Sequence, residues 1–132
     1  MCGSCTACID ECPTDALVDA YQLDANKCIS YLTIEHRGDI PVEFHDKLNN
    51  WIYGCDICQE VCPWSQKFSQ VTSEPAFQPR SNINKRSIDE WIKLSEDEFR
   101  ILFKKSAVKR TKYIGLKRNI SLVEQDKFRN SN

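Results

Sequence analysis

The spacing of apolar residues predicts helices in both halves of this chain. In the first half, one stretch repeats at i, i+4, i+7 and i+8, the pattern of a single helix face: Phe44, Leu48, Trp51 and Ile52. Gly54 follows as a candidate C-cap. Residues 29–35 are apolar and β-branched, so they suit either a strand or a buried helix. Shorter patterns predict a helical turn over residues 14–18, capped by Thr14, and a short strand over residues 21–23.

The second half opens with a polar stretch and continues with helix signals. Residues 65–87 are rich in Ser, Gln, Asn and Pro and predict a connecting segment. Ser87 and Ser95 each stand three residues before a glutamate, which is the capping-box pattern of a helix start. A third helix is predicted from residue 112 to residue 123, with four residues facing inward: Tyr113, Leu116, Ile120 and Val123. Such short antiparallel helices are typical of helical-repeat proteins.

Four cysteines near the N-terminus form the pattern C-x2-C-x2-C-x3-C-P: Cys2, Cys5, Cys8 and Cys12. This is the bacterial iron-sulfur run. Three thiolates on one tight loop bind three corners of a cubane cluster. The fourth, followed by Pro13, points elsewhere and normally serves a second cluster.

A second half-site is present in altered form. Its cysteines repeat the ending C-x2-C-x3-C-P, but no cysteine stands three residues before Cys55. Cys28 is the remaining candidate, so residues 29–54 form an insertion between it and the rest of the site. The crossing pattern then predicts two ligand sets, one of Cys2, Cys5, Cys8 and Cys62, and the other of Cys12, Cys28, Cys55 and Cys58.

Eight cysteines have two other common uses in proteins. Disulfides suit small secreted chains, but no apolar signal segment opens this sequence, and thiols at x2 spacing pair poorly across a fold. Structural zinc needs paired C-x2-C knuckles, which leave the third cysteine of the first run and both Cys-Pro endings without a role. The iron-sulfur interpretation uses every cysteine.

The net charge of −1 is the sum of an acidic first half and a basic second half of the chain. Residues 1–64 carry 3 basic and 11 acidic residues, whereas residues 65–132 carry 15 basic and 8 acidic ones. Between residues 100 and 118 there are eight basic residues and no acidic one. A basic stripe of this kind is typical of a surface that binds a phosphate backbone, although a solvated helix face gives the same pattern.

The composition predicts a protein of the reducing cytoplasm. Hydrophobic residues make up 41% of the 132 residues, and no run approaches the ~18 apolar residues of a membrane span. Thiolate metal sites persist in a reducing compartment. We expect an α+β chain with three parts: a ferredoxin-like two-cluster domain over residues 1–64, a linker over residues 65–87, and a truncated, basic helical-repeat (HEAT-like) segment over residues 88–132.

Several blocks of the sequence together resemble the epoxyqueuosine reductases. They are the first cysteine run, the displaced Cys28 with its continuation ISYLTIE, the stretch IYGCDICQEVCPW over residues 52–64, SAVKR over residues 106–110, and GLKRN over residues 115–119. The match covers nearly the whole chain in one order. The displaced cysteine is its most specific feature, because many ferredoxin-like domains share the first motif.

The resemblance implies a tRNA-modifying reductase. That family uses cobalamin and two 4Fe-4S clusters to reduce epoxyqueuosine to queuosine at the wobble position of the anticodon. It implies that Ser30, Asp56 and Ile57 lie near the corrin. It also implies that the basic residues Lys109, Arg110, Lys117 and Arg118 bind tRNA phosphates.

The family's catalytic acid and most of its cobalamin pocket belong to an N-terminal domain that this sequence does not contain. We therefore expect the chain to be the tail of a longer protein, and we assign it no catalytic residue. His36 and His45 are isolated and are interpreted as surface or hydrogen-bonded side chains. An external ferredoxin or flavodoxin is the expected electron donor, and the expected state is a monomer.

Two other functions stay open at this point. A stand-alone ferredoxin-like module would transfer electrons to a different reductase without affinity for cobalamin or tRNA. A nucleic-acid-binding module would use its clusters only to stabilise the fold, and its tRNA binding would persist when they cannot be reduced.

Overall fold

Short helices dominate the computed structural model, which describes the backbone of residues 2–130 and the side chains of residues 2–80 and 82–126. The elements run in the order α1 (Ala7–Asp10), β1 (Leu17–Asp19), β2 (Gln22–Leu23), α2 (Ile29–Ile34), α3 (Ile57–Glu60), α4 (Pro63–Phe68), α5 (Ser81–Asn84), α6 (Ile88–Ile92), α7 (Glu96–Leu102) and α8 (Lys112–Asn130). Strands β1 and β2 pair antiparallel, with Leu17 opposite Leu23. The α+β prediction is confirmed. None of the helices in the described part is long and apolar enough to cross a membrane.

Two apolar clusters form the interior, and helix α8 lies against both. The first cluster contains residues of α2 and of the segment that follows it: Ile29, Leu32, Ile40, Phe44 and Leu48. The second contains residues of the C-terminal helices: Leu94, Phe99, Leu102, Phe103, Leu116 and Ile120. Leu122 of α8 packs on the first cluster, whereas Leu116 and Ile120 belong to the second. The basic helix therefore joins the two halves of the chain.

The helical turn predicted over residues 14–18 is wrong. These residues form a turn that leads into β1. The amide of Ala16 donates to Cys12 Sγ at 3.3 Å, and the hydroxyl of Thr14 lies 3.7 Å from the same sulfur. The Ala16 amide, which would bond to a backbone carbonyl in a helix, thus bonds to a cysteine sulfur instead. Asp15 has a left-handed backbone with φ 52°. The strand predicted over residues 21–23 is confirmed by β2.

The helix predicted to end at Gly54 is also wrong in its extent. A 3-10 helix covers Val42–Lys47, and the chain then turns through Asn49 and Asn50, which have φ values of 49° and 66°. Asparagine tolerates this left-handed region better than most residues, so the pair ends the helix. Phe44 and Leu48 are still buried in the first cluster, as their spacing predicted.

The predictions for the C-terminal helices agree more closely with the structure. Ser87 and Glu90 form a complete capping box at the start of α6. At α7 only the serine half is present, because Ser95 accepts from the Glu98 amide while the Glu98 carboxylate pairs with Arg86. Residues 29–35, ambiguous in sequence, form α2. The third predicted helix is α8, which begins at Lys112 and extends beyond residue 123. Short helices also occur between residues 65 and 87, and the linker assignment stays a prediction.

Leu116→Ala should lower the free energy of unfolding by about 2–5 kcal/mol, because it leaves a cavity in the second cluster. Leu116 is 1% exposed, whereas Ile114 on the same helix is 81% exposed. Ile114→Ala is therefore the matched control and should change stability by less than about 0.5 kcal/mol. Urea denaturation of the cluster-loaded proteins measures both. Equal losses in the two variants would show that this face of α8 is not packed as described.

Candidate functional site

Helices α1 and α3 are two copies of one backbone unit. Their N-cap residues, Thr6 and Asp56, have nearly the same dihedral angles, −117° and 5° against −112° and 4°. In each copy the N-cap carbonyl accepts from the amides three and four residues later, and the amide of the last cysteine, Cys12 or Cys62, donates to the carbonyl three residues before it. The sequence repeat of the cysteine motifs is thus a structural repeat.

Two cavities lie at this repeat, and each is bordered by four cysteines. One of about 140 Å³ is lined by Cys12, Cys28, Cys55 and Cys58 together with apolar side chains. The other is lined by Cys2, Cys5, Cys8 and Cys62, with Ala7, Pro63 and Trp64. Within each cavity the set of cysteines equals one of the two sets predicted from the crossing pattern.

The cavity of Cys2, Cys5, Cys8 and Cys62 is about 30 Å³, whereas that of Cys12, Cys28, Cys55 and Cys58, at about 140 Å³, is larger than a single-ion site. Four thiolates around zinc lie about 2.3 Å from the metal and enclose no space of this size. In the described part of the chain, no three His, Cys, Asp or Glu side chains converge on a single-ion site. Four thiolates around an enclosed, partly apolar space are the donor set that a 4Fe-4S cubane requires.

Backbone amides lower the pKa of the last cysteine in each motif. Burial acts to raise the pKa of the Cys12 thiol, but hydrogen bonds from the backbone of Thr14 and Ala16 outweigh it and hold that pKa below its ordinary value. The backbone of Ser65 and Trp64 likewise lowers the pKa of Cys62. Because the thiolate is the form that binds metal, these amides favour ligation. They also belong to the hydrogen bonds that tune the potential of a bound cluster.

The cysteines inside the second motif are in a less polar environment. Burial raises the pKa of the Cys55 and Cys58 thiols above the ordinary value, and the nearby charges of Cys28 and Cys12 add to the rise. These cysteines converge on one cavity, where their thiolates repel one another. Cationic iron is the natural means of offsetting it.

Cys28 reaches this site from the start of α2. It is the N-cap residue of that helix, and its carbonyl accepts from the Leu32 amide at 2.9 Å. The insertion of residues 29–54 folds on the first apolar cluster and returns the chain to Cys55 beside Cys28.

The residues predicted to lie near a corrin are not gathered in one cavity of the described structure. Ile57 borders the cavity of Cys12, Cys28, Cys55 and Cys58. Asp56 is exposed and lines a shallow groove with Gln59 and Glu60. Ser30 lies on α2, half-buried. Their cobalamin role stays a prediction, and this chain alone does not form a pocket for that cofactor from these three residues.

The four predicted tRNA-binding residues have different surroundings. Lys109 is exposed, and Arg110 is exposed while pairing with Glu35. Lys117 donates to the carbonyl of Ile92, and Arg118 donates to the carbonyl of Leu32 at 2.8 Å and to that of His36 at 3.1 Å. Three of the four side chains therefore have a partner within the fold, two of them backbone carbonyls and one a carboxylate.

Sequence reasoning missed the buried polar residues that connect the insertion to α8. Thr33, Thr111 and Asn119 are at most 1% exposed and hydrogen-bond to one another or to shared carbonyls. No motif marks them, and their polar side chains alone suggest surface positions. Both histidines were interpreted correctly, since His36 bonds to the Asp39 carbonyl and His45 to the Ile40 carbonyl.

The profile of the 4Fe-4S double cluster binding domain matches residues 1–65, which contain all eight cysteines. The epoxyqueuosine reductase of Cellulophaga algicola (strain DSM 14237 / IC166 / ACAM 630) is 52% identical over 123 residues, which are 93% of this chain and 40% of that protein. The chain is homologous to the epoxyqueuosine reductases. Residues 1–65 thus match a domain that binds two 4Fe-4S clusters.

Solved epoxyqueuosine reductases share this fold. A crystal structure of the selenomethionine-labelled enzyme superposes with a TM-score of 0.84 at 40% identity, covering 93% of this chain and 32% of that one. Another, of epoxyqueuosine reductase with a tRNA-Tyr epoxyqueuosine-modified tRNA stem loop, gives a TM-score of 0.76 at 37% identity over the same fractions. The chain thus spans 32% to 40% of the length of these epoxyqueuosine reductases.

Cys28→Ala should remove one ligand of one cluster and leave the other cluster intact. Iron in the anaerobically reconstituted chain should fall below the eight per chain of two 4Fe-4S clusters, reaching about four if the whole cluster is lost. Ser30→Ala, two residues away, is the control and should keep its full iron. Full iron in Cys28→Ala would contradict the assignment of Cys28.

Proposed function

We propose that this chain is the electron-transfer and tRNA-contacting part of an epoxyqueuosine reductase, which reduces epoxyqueuosine to queuosine at the wobble position of tRNA. The observation that carries the proposal is the pair of four-cysteine cavities at one repeat, in a chain homologous to enzymes of that name. Both cavities lie in the region that those enzymes share with this chain.

The electron-transfer role is supported by the closeness of the two sites. Helices α1 and α3 pack on each other, and Cys12 and Cys62 each stand at the end of one motif while lining the cavity of the other. When bound, the two clusters would supply one-electron transfer between neighbouring centres. The chain holds the thiolates, directs amides at Cys12 and Cys62, and keeps the cavity of Cys12, Cys28, Cys55 and Cys58 partly apolar.

The remaining parts of the proposal concern partners of the whole enzyme. We infer that cobalamin binds with Ser30, Asp56 and Ile57 at its edge and with further protein completing its pocket. An external ferredoxin or flavodoxin would reduce the clusters, and the protein would act as a cytoplasmic monomer. The exposure of Asp56 directly beside Cys55 is the support for a cofactor approaching this side.

The tRNA-contacting role is assigned to one basic surface. Lys109 and Arg110 lie on the 3-10 helix Ala107–Thr111, and Lys112 starts α8. Arg37 reaches the same place and donates to the Arg110 carbonyl at 3.0 Å. Beside them a cavity of about 270 Å³ is lined by Arg37, Lys112 and Arg118 around an apolar wall that includes Ile114. Cations around an apolar wall suit a phosphate with its attached nucleoside.

The predicted contacts of Lys117 and Arg118 with phosphate are weaker candidates than those of Lys109 and Arg110. Lys117 and Arg118 already donate to backbone carbonyls of the fold. A phosphate would have to compete with these bonds, whereas Lys109 and Lys112 are exposed.

The double variant Lys109→Ala, Lys112→Ala should weaken binding of a tRNA anticodon stem loop. The slope of log affinity against log salt should become shallower by about one unit for each phosphate contact removed. Lys85→Ala removes an exposed lysine outside the stripe and is the matched control. Fluorescence anisotropy at several salt concentrations measures the slope. An unchanged slope in the double variant would exclude this surface.

The chain alone should not reduce epoxyqueuosine in tRNA, whereas the chain combined with the remaining part of a homologous enzyme should do so. Mass spectrometry of nucleosides released from the tRNA measures conversion under reducing conditions. Conversion by the chain alone at the rate of a whole enzyme would contradict the proposal that catalysis needs the remaining part of the enzyme. Reversible cluster reduction without affinity for tRNA or cobalamin in the combined system would instead identify a stand-alone electron-transfer module.

A further inference from the structure

A buried polar network joins helix α8 to the insertion that separates Cys28 from Cys55. Its centre is Asn119, which is 0% exposed, and its main partner is Thr33, also 0% exposed. All buried polar side-chain atoms among the described residues have hydrogen-bond partners. A buried amide with every bond made is costly to disturb, because any lost partner leaves an unsatisfied group.

The amide of Asn119 has a fixed orientation. Its Nδ2 donates to the Thr33 carbonyl at 2.8 Å and to the Ile52 carbonyl at 2.9 Å, which uses both hydrogens. Its Oδ1 accepts from Arg118 Nη2 at 2.9 Å. A flipped amide would direct its oxygen at two carbonyls and its hydrogens at a guanidinium. One side chain of the basic helix therefore holds two separate backbone segments.

Those two segments are the ends of the insertion. Thr33 belongs to α2, which starts immediately after Cys28, and Ile52 precedes Cys55 by three residues. A second bond ties the same ends together, since the Gly54 amide donates to Thr33 Oγ1 at 3.0 Å. The hydroxyl of Thr111 adds a donor to the Thr33 carbonyl at 2.9 Å. The relative position of Cys28 and Cys55 is thus determined through Thr33, Ile52 and Asn119.

The two cluster sites differ in how their ligands are held. Cys2, Cys5 and Cys8 lie on one short stretch that runs into α1, so local backbone geometry spaces them, although Cys62, the fourth cysteine of that set, is distant in sequence. Cys28 and Cys55 are separated by 26 residues, and no local geometry relates them. Closure of that long loop needs contacts made elsewhere in the fold.

We propose that Asn119 is a positioning residue for the cluster ligated by Cys12, Cys28, Cys55 and Cys58, so that docking of α8 sets the relative position of two of its ligands, Cys28 and Cys55. The proposal deepens the proposed function and rests on its ligand sets. It assigns the basic helical segment a second task beside RNA contact, which is to set the geometry of one of the two redox centres.

Asn119→Asp tests the proposal, because it keeps the shape and the acceptor for Arg118 but removes both donated hydrogens. After anaerobic reconstitution, iron should fall from about eight towards four per chain, two 4Fe-4S clusters being the full load. The electron paramagnetic resonance spectrum of the reduced protein should change from that of two magnetically coupled clusters to that of one isolated cluster. Thr33→Val should give a milder change in the same direction. Thr33→Ser keeps the hydroxyl and should keep the spectrum of two coupled clusters.

Ile120→Ala is the matched control for stability, since Ile120 is the next residue of α8, 1% exposed, and packs in the second apolar cluster. It should lower the melting temperature while leaving the iron content and the coupled spectrum unchanged. The inference is overturned if Asn119→Asp keeps both clusters coupled, or if Ile120→Ala loses iron to the same degree. If Asn119→Asp does not fold, the iron content and the paramagnetic resonance spectra of Thr33→Val and Thr33→Ser test the inference instead. A wild-type chain that never holds more than four irons would refute the ligand sets of the proposed function instead.

Discussion

Closure of the loop between Cys28 and Cys55 is the constraint on which the structure depends. One cluster site draws three ligands from a single turn of chain, but the other needs a cysteine that lies on the far side of a 26-residue insertion. Thiolates that converge without metal repel each other, and burial raises this cost at Cys55 and Cys58. The fold has to hold them together through packing and hydrogen bonds until iron and sulfide neutralise them.

The insertion meets this requirement by building its own apolar cluster. Ile29 and Leu32 of α2 pack with Phe44 of the 3-10 helix and with Leu48 directly after it. The cluster is small, and its open side is covered by α8, whose Leu122 packs against it. The two halves of the chain therefore form one structure at this point, even though their compositions and charges differ. A boundary drawn at residue 64 separates motifs in the sequence but crosses this contact in space.

The parts of the structure that could be predicted from sequence are those governed by short-range rules. Cysteine spacing predicted two sets of four, each of which borders one cavity, because a tight loop and a following proline leave few directions for each sulfur. Capping boxes and apolar spacing located α6, α7 and α8. The errors arose where a side chain's partner is distant or unusual. Residues 14–18 do not form the predicted helical turn, because the amide of Ala16 bonds to the sulfur of Cys12. The helix predicted to continue through Trp51 ends early, because Asn49 and Asn50 adopt left-handed backbones.

The basic stripe shows why a charge pattern identifies a surface only in part. Eight cations between residues 100 and 118 have the same formal charge, yet Arg118 donates to carbonyls of the insertion, and Lys117 to the end of α6. An arginine is suited to this, because its planar fork satisfies several carbonyls at once and keeps its charge when partly buried. Arg110 is exposed but partly neutralised by Glu35, whereas Lys104, Lys105, Lys109 and Lys112 are exposed lysines. The basic stripe thus contains an inner row, Lys117 and Arg118, that bonds within the fold, and an outer row of exposed lysines able to attract phosphate. The inner row adjoins Asn119, so α8 carries exposed cations together with the amide that we propose supports a cluster site.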